Sequence, residues 1–364
     1  MLHFLFVFCV TLGLAQLGST YNQWRTMSLV GENRAWGVIV SAGLILFGLW
    51  GLFDAPLLPT FIWPLFTVPL SLILLLTAGS YIRPPEHPDI LFSKTHPEHS
   101  GCESVSIPNG DETIPGLLLF PHAEIRLNSA VCVVHGSGDN KKNFKWRLIH
   151  ALLAQGFTVL TIDMPGHGDY VETPFQYPEC LRIIPTAIRY LQARLGDEAI
   201  GLLGISLGAA VSLRSLVNVS GLNVGALALI EMPLQVEFNQ RLFYKEAWQA
   251  FNAPVLSLYR DISLRQMRES WKQGAIRSKH STTETFDLLD PESAICQLEP
   301  GLPLLLVYSQ HDPIALLAHG QKLKKSAPQA ELVVIKKASH VTLTLMPAVV
   351  DQIAVWLYKN LAHT

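Results

Sequence analysis

Charge is scarce at the start of this chain. The stretches Leu2 to Leu17, Ala35 to Phe53 and Leu57 to Ile82 contain no Asp, Glu, Lys or Arg, which excludes an ordinary water-facing domain there. Cysteine is sparse too. The five cysteines, Cys9, Cys102, Cys132, Cys180 and Cys296, lie far apart with no metal-ligand spacing, which excludes a disulfide framework and a thiolate metal site and leaves free, mostly buried thiols. A formal net charge of −2 gives no electrostatic footprint for nucleic acid. Lys141 and Lys142 lack the Gly-Lys-Thr pattern that opens a phosphate-binding helix, so they read as solvating their loop.

What the first 82 residues do have is length. Each apolar stretch is close to the roughly 20 residues that cross a bilayer, so residues 1–82 are expected to form three transmembrane helices. Pro59, Pro64 and Pro69 should kink or shorten the third. Arg25 and Arg34 lie between the first two stretches, and Arg83 and Lys94 follow the third. By the positive-inside rule the N-terminus is then outside, and everything after residue 83 is cytoplasmic. A signal peptide ending near Ser19 is the competing reading, but the start of the chain has no basic segment. Residues 83–100, with Pro84, Pro85, Pro88 and Pro97, read as a stiff linker.

From residue 101 to 364 the pattern changes to short apolar strands alternating with helical periods. Glu103 to Ile107 and Thr113 to Phe120 flank Asn109-Gly110, a hairpin signal. Buried strands follow at 130–134, 157–162, 200–203, 224–230, 303–308 and 331–335, with helices expected at 145–155, 177–195, after Ser206, at 314–325 and at 341–361. This alternation requires a mainly parallel sheet covered on both faces, an α/β class. Between about 233 and 297 the period breaks into an aromatic-rich insertion containing Phe238, Phe243, Tyr244, Trp248, Phe251, Tyr259 and Trp271. It is expected to form a helical cap over the site.

Gly204-Ile205-Ser206-Leu207-Gly208 stands between a strand and a helix. A serine raised on that sharp turn takes a strained backbone, and the two glycines remove clashes around it. Ser206 is the expected nucleophile, with Leu207 N–H at the helix start as one oxyanion donor. A serine hydroxyl needs a base, and the base needs an orienting acid. Asp312 follows one strand, and His340 follows one α–β unit later, at the same sheet edge. Glu231, at the end of the 224–230 strand, is the alternative acid. His135 and His167 are weaker alternatives for the base.

Together these residues make residues 101–364 resemble a serine hydrolase of the α/β-hydrolase fold, most like its lipase, esterase and serine-aminopeptidase-like branch. Ser206, Asp312 and His340 match the family's nucleophile, acid and base. His135-Gly136-Ser137-Gly138 matches its oxyanion loop, which implies Ser137 N–H as the second donor, and Asp163 to Gly168 matches its Asp-x-x-Gly-x-Gly loop. The resemblance implies acyl transfer through an acyl-enzyme with no cofactor and no metal. The expected substrate is a lipid-like or other hydrophobic carboxylic ester, for a domain tethered to the bilayer. An amide hydrolase shares all these residues, and an idle scaffold of the same fold is the reading outside catalysis. No oligomeric state is implied.

Overall fold

A computed structural model describes residues 2–26, 34–53, 61–82, 99–142, 145–196, 199–236, 242, 245–246, 277–336 and 338–362. They fall into two compact units, one of N-terminal helices and one that begins after them.

The first unit holds α1 (Leu2–Thr26), α2 (Arg34–Leu52) and α3 (Pro64–Ile82). Small residues let the helices approach. A Cβ added to Gly13 would lie 2.9 Å from the Ser41 carbonyl oxygen, and one on Gly48 would lie 2.6 Å from that of Phe6. Thr11 Oγ1 and Ser71 Oγ are 3.0 Å apart and bridge α1 to α3. Ser41, Thr67 and Ser71 are buried, whereas Trp50, Phe61 and Leu65 are 75%, 76% and 72% exposed. Hydroxyls face inward and large apolar groups face outward.

Three membrane spans were expected here, yet among the described residues no helix is long and apolar enough to cross a membrane. α2 has 19 residues and begins on Arg34. In the described part of the third apolar stretch, Phe61 and Ile62 are helical, Trp63 is a turn, and α3 begins at Pro64, whose missing N–H and fixed φ suit a helix start. The expected proline-rich linker lies almost wholly outside the described residues.

The second unit is built on an eight-stranded sheet: β1 (Gly101–Asn109), β2 (Glu112–Phe120), β3 (Ser129–Val134), β4 (Thr158–Ile162), β5 (Ala199–Ile205), β6 (Val224–Ile230), β7 (Leu304–Ser309) and β8 (Glu331–Ile335). Their spatial order is β1-β2-β4-β3-β5-β6-β7-β8. The first hairpin pairs antiparallel and β2 meets β4 antiparallel, while every later pairing is parallel. Gly110 takes φ +67° in the hairpin turn. The central parallel strands are apolar on both faces, and all six residues of β3 and of β7 are buried, whereas no residue of the edge strand β8 is. Helices α4 (Trp146–Ala154), α5 (Ile183–Leu195), α6 (Leu207–Asn218), α7 (Thr282–Leu289), α8 (Pro291–Ile295), α9 (Leu317–Ser326) and α10 (Pro347–Leu361) accompany the sheet.

Three helix boundaries differ from the sequence reading. The expected helix 177–195 starts as a 3-10 turn, Glu179–Arg182, and becomes α-helical at Ile183, which places Pro185 in the first turn, where its missing N–H costs nothing. The helix expected at 314–325 runs from Leu317 to Ser326, because Asp312 engages the amides of Ile314 and Ala315 instead. The closing helix begins at Pro347 rather than Val341, which leaves the loop after β8 free to present His340.

Of the expected cap, all seven aromatic residues lie outside the described residues. The end of the insertion is helical: Ser281 and Glu284 form a reciprocal capping box at the start of α7. Phe286, Leu289, Ala294 and Ile295 from α7 and α8 belong to the hydrophobic core with α6 residues. This part of the insertion is core, not cover.

Candidate active site

Each element of the site follows a parallel strand at its carboxyl end, where ligands bind in open α/β sheets. Ser206 follows β5 and has φ 52° and ψ −116°, a conformation that costs a non-glycine residue energy. The sheet fixes it, because Ser206 N–H donates to the Ile230 carbonyl at 2.8 Å. The flanking glycines are required by different neighbours. A Cβ on Gly204 would lie 2.5 Å from Ala209 Cα, across the turn, whereas one on Gly208 would lie 2.3 Å from the His135 carbonyl oxygen at the end of β3. Gly208 therefore serves packing between α6 and β3 rather than clearance from Gly204.

His340 stands beside the serine. Its Nε2 is 2.9 Å from Ser206 Oγ and its Nδ1 is 2.7 Å from Asp312 Oδ2. Asp312 is fixed in turn, with Oδ1 accepting the amides of Ile314 at 2.7 Å and Ala315 at 2.9 Å. The loop carrying His340 is stitched locally: Ser309 Oγ donates to the Ala338 carbonyl at 2.6 Å, and Ser339 N–H donates to Thr342 Oγ1 at 2.8 Å. Burial lowers the affinity of His340 for a proton, but the charge and hydrogen bond of Asp312 and the charge of Glu246 outweigh it, so its pKa is raised above the ordinary value.

Glu231, the alternative acid, is fully buried with Oε2 at 3.9 Å from His340 Nδ1. Asp312 holds the hydrogen bond and Glu231 stands behind it. Ligand atoms of Glu231, Asp312 and His340 lie within 4.8 Å of one another, the spacing of a small metal-binding set. The 2.7 Å contact between His340 Nδ1 and Asp312 Oδ2 already commits both lone-pair positions to one shared proton.

Among the described residues it is His340, not His135 or His167, that bonds Ser206 Oγ; the rings of His135 and His167 face each other with centroids 4.9 Å apart. Met164 N–H donates to His135 Nε2 at 3.0 Å, so Nδ1 carries the proton and donates to the Gly136 carbonyl at 2.7 Å. Burial, and then the nearby His167 and Lys145, hold His135 well below the usual imidazole range, so it stays neutral. Because the peptide is planar and trans, turning the Gly136 carbonyl toward the ring directs Ser137 N–H the opposite way. Gly136 is also close to the nucleophile, since a Cβ there would lie 3.1 Å from Ser206 Cβ. Leu207 opens α6, where first-turn N–H groups lack intrahelical acceptors.

Two features escaped the sequence reading. Lys141, expected to solvate its loop, is buried and pairs with Asp163 Oδ2 at 2.5 Å and Asp169 Oδ2 at 2.6 Å. The Lys141 amide also donates to Asp163 Oδ1 at 2.7 Å. Beside it, the fully buried Lys145 pairs with Asp139 at 2.8 Å. Burial outweighs that pairing and pushes the Asp139 carboxyl up to about 6. These contacts tie the loop after β3 to the loop after β4, and the adjacency of those two strands was the available signal. The second feature is Glu246 from the insertion, whose carboxylate accepts the amides of His340 and Val341. No local pattern points to it.

The geometry defines a class. Residues 131–353 match the model of the alpha/beta hydrolase family, and the chain belongs to that family. Among curated proteins, it is 25% identical over 207 residues to human Protein ABHD12B, covering 56% of this chain and 51% of that one. It is also 34% identical over 85 residues to a Mycobacterium tuberculosis protein, covering 23% of this chain and 24% of the other. The chain thus spans about a quarter to a half of the length of these relatives. An esterase from Exiguobacterium antarcticum superposes with a TM-score of 0.53 at 16% identity, covering 70% of this chain and 99% of the esterase. That likeness concerns the fold.

Proposed function

We propose that this chain is a serine hydrolase that cleaves carboxylic esters. The observation that carries the reading is the unbroken hydrogen-bonded line from Ser206 through His340 to Asp312. In this reading His340 Nε2 takes the Ser206 proton as Oγ attacks the ester carbonyl. Leu207 N–H and Ser137 N–H receive the oxyanion, and protonated His340 gives its proton to the departing alkoxide. Water then attacks the acyl-enzyme by the same route, with His340 as base, and releases the carboxylic acid. Asp312 stabilises the imidazolium without taking its proton. Every step is served by residues of the chain.

Labelling by a fluorophosphonate probe tests this. Wild type should be labelled and Ser206→Ala should not. Absence of labelling in folded wild type would move the reading to a binding or scaffold domain. Matched ester and amide substrates of one acyl group then decide the bond cleaved, with faster ester turnover expected.

The finer proposal is that the substrate is hydrophobic and met at a bilayer, with the hydrolase domain on the cytoplasmic side. It is supported by the inverted polarity of the N-terminal unit, whose hydroxyls are inside and whose large apolar side chains are outside. Retention of the chain in the membrane fraction after alkaline carbonate washing is the expected result, and release into the supernatant would count against it.

A further inference from the structure

Glu231 poses a question that packing does not answer. It sits immediately after β6, its amide donates to the Val307 carbonyl at 2.8 Å, and its backbone takes φ 48°, a left-handed conformation unfavourable for a side chain of this kind. It is fully buried, and among the described residues neither carboxyl oxygen has a hydrogen-bond partner of ordinary geometry. An apolar side chain would be cheaper to bury there. Its surroundings belong to the reaction centre: His340 Nδ1 lies 3.9 Å from Oε2, and Asp312 and His340 share the same small cluster.

Resting on the serine hydrolase reading, we propose that Glu231 is a second, proton-carrying acid of the site, which backs Asp312 in the resting protein and orients His340 when Asp312 is uncharged. The groups that face it are Asp312 after β7, His340 after β8, Glu246 from the insertion and Tyr308 on β7, whose hydroxyl donates to the Met232 carbonyl next to it at 2.5 Å. Burial first, then the close Asp312 carboxylate, then the charge of Glu246, all push the Glu231 carboxyl well above the usual range. A neutral Glu231 O–H donates toward the Asp312 carboxylate and spreads its charge. Its proton stays on Glu231 throughout the reaction. If Asp312 loses its charge, the nearest like charge opposing ionisation of Glu231 is gone, and burial remains as the obstacle that moves its ionisation to alkaline pH. Glu231 then releases its proton to solvent as pH rises and accepts the His340 Nδ1–H bond across the short gap.

The test compares Asp312→Asn, Glu231→Gln and the double variant in turnover of a para-nitrophenyl ester across pH. Asp312→Asn should keep a residual kcat/KM that rises toward alkaline pH and falls well short of the roughly 10⁴-fold loss known where the orienting acid has no substitute. The double variant should lose at least about another tenfold and lose the alkaline rise, since no second carboxyl remains. Equal rates and equal profiles for Asp312→Asn and the double variant would overturn the proposal. A readout independent of turnover and of the folding of Asp312→Asn is the infrared carbonyl band of a protonated carboxyl at neutral pH. It should be present in wild type and absent in Glu231→Gln, and its absence from wild type would also overturn the proposal. Failure of the underlying reading shows separately, as turnover that survives in Ser206→Ala.

Discussion

Glu246 holds the backbone on which the site's imidazole is carried: Oε2 accepts the His340 amide at 3.2 Å and Oε1 accepts the Val341 amide at 2.9 Å. One carboxylate from the insertion thus fixes the loop and adds negative charge near the ring. His340 must be neutral to act as a base. Its raised pKa means that kcat/KM should fall, as pH drops, from a point above the ordinary imidazole value. Glu246→Gln removes one of the charges that raise it, so the acid limb of the pH profile should move to lower pH. Glu246→Ala leaves two amides without their acceptor, a loss on the order of 1–3 kcal/mol, and should lower kcat as well. An unmoved acid limb in Glu246→Gln would show that the charge does not reach His340.

The second oxyanion donor is expected to be an amide, not a hydroxyl. Ser137→Ala should keep most activity, because the backbone N–H remains. Ser137→Pro removes that N–H and should cost about 3 kcal/mol of transition-state stabilisation, a fall of 10²–10³ in kcat. Steady-state ester kinetics on the two variants check this. A larger loss in the alanine variant than in the proline variant would reassign the role to the side chain.

Behind the same loop, Asp163 is fully buried and depends on Lys141 for its counter-charge. Lys141→Met should destabilise the domain by about 3–5 kcal/mol, because it strands a buried carboxylate. Asp169, 78% exposed, should matter far less: Asp169→Asn is expected to cost under about 1 kcal/mol. Denaturant unfolding followed by fluorescence measures both. Similar losses in the two variants would show that burial of the Asp163 arm is not what gives the pair its strength.

The parts of the site that were legible in the sequence are those whose meaning is local. Ser206 is bracketed by glycines at a strand-to-helix turn, and Asp312 and His340 each follow an apolar strand, so strand periodicity and chain order suffice to place all three at one sheet edge. Glu246 was illegible because its contact to His340 spans 94 residues and depends on how an insertion without clear periodicity returns to the sheet. Lys141 was misread for a related reason. A lysine next to another lysine on a glycine-containing loop looks solvated until the strand order shows β4 beside β3, which brings Asp163 to it. Glu231 was placed correctly as a strand-end acid, but its distance from His340 relative to Asp312 is a matter of side-chain packing, which no pattern of residue types encodes. At the N-terminus, hydropathy located three helices, and the prolines marked the third as shortened, as its start at Pro64 shows.

The contact of Glu246 with His340 also bears on how this domain can change its substrate. Insertions between β6 and β7 are where a hydrolase can gain or lose selectivity without disturbing its sheet. Here one residue of that segment also holds the loop that carries His340, so under the proposed function the insertion cannot be exchanged without touching the base. A graft of a foreign insertion that lacks a carboxylate at the position of Glu246 would alter reactivity toward every ester at once, and recovering it would call for restoring a single acidic side chain rather than reshaping the acyl pocket.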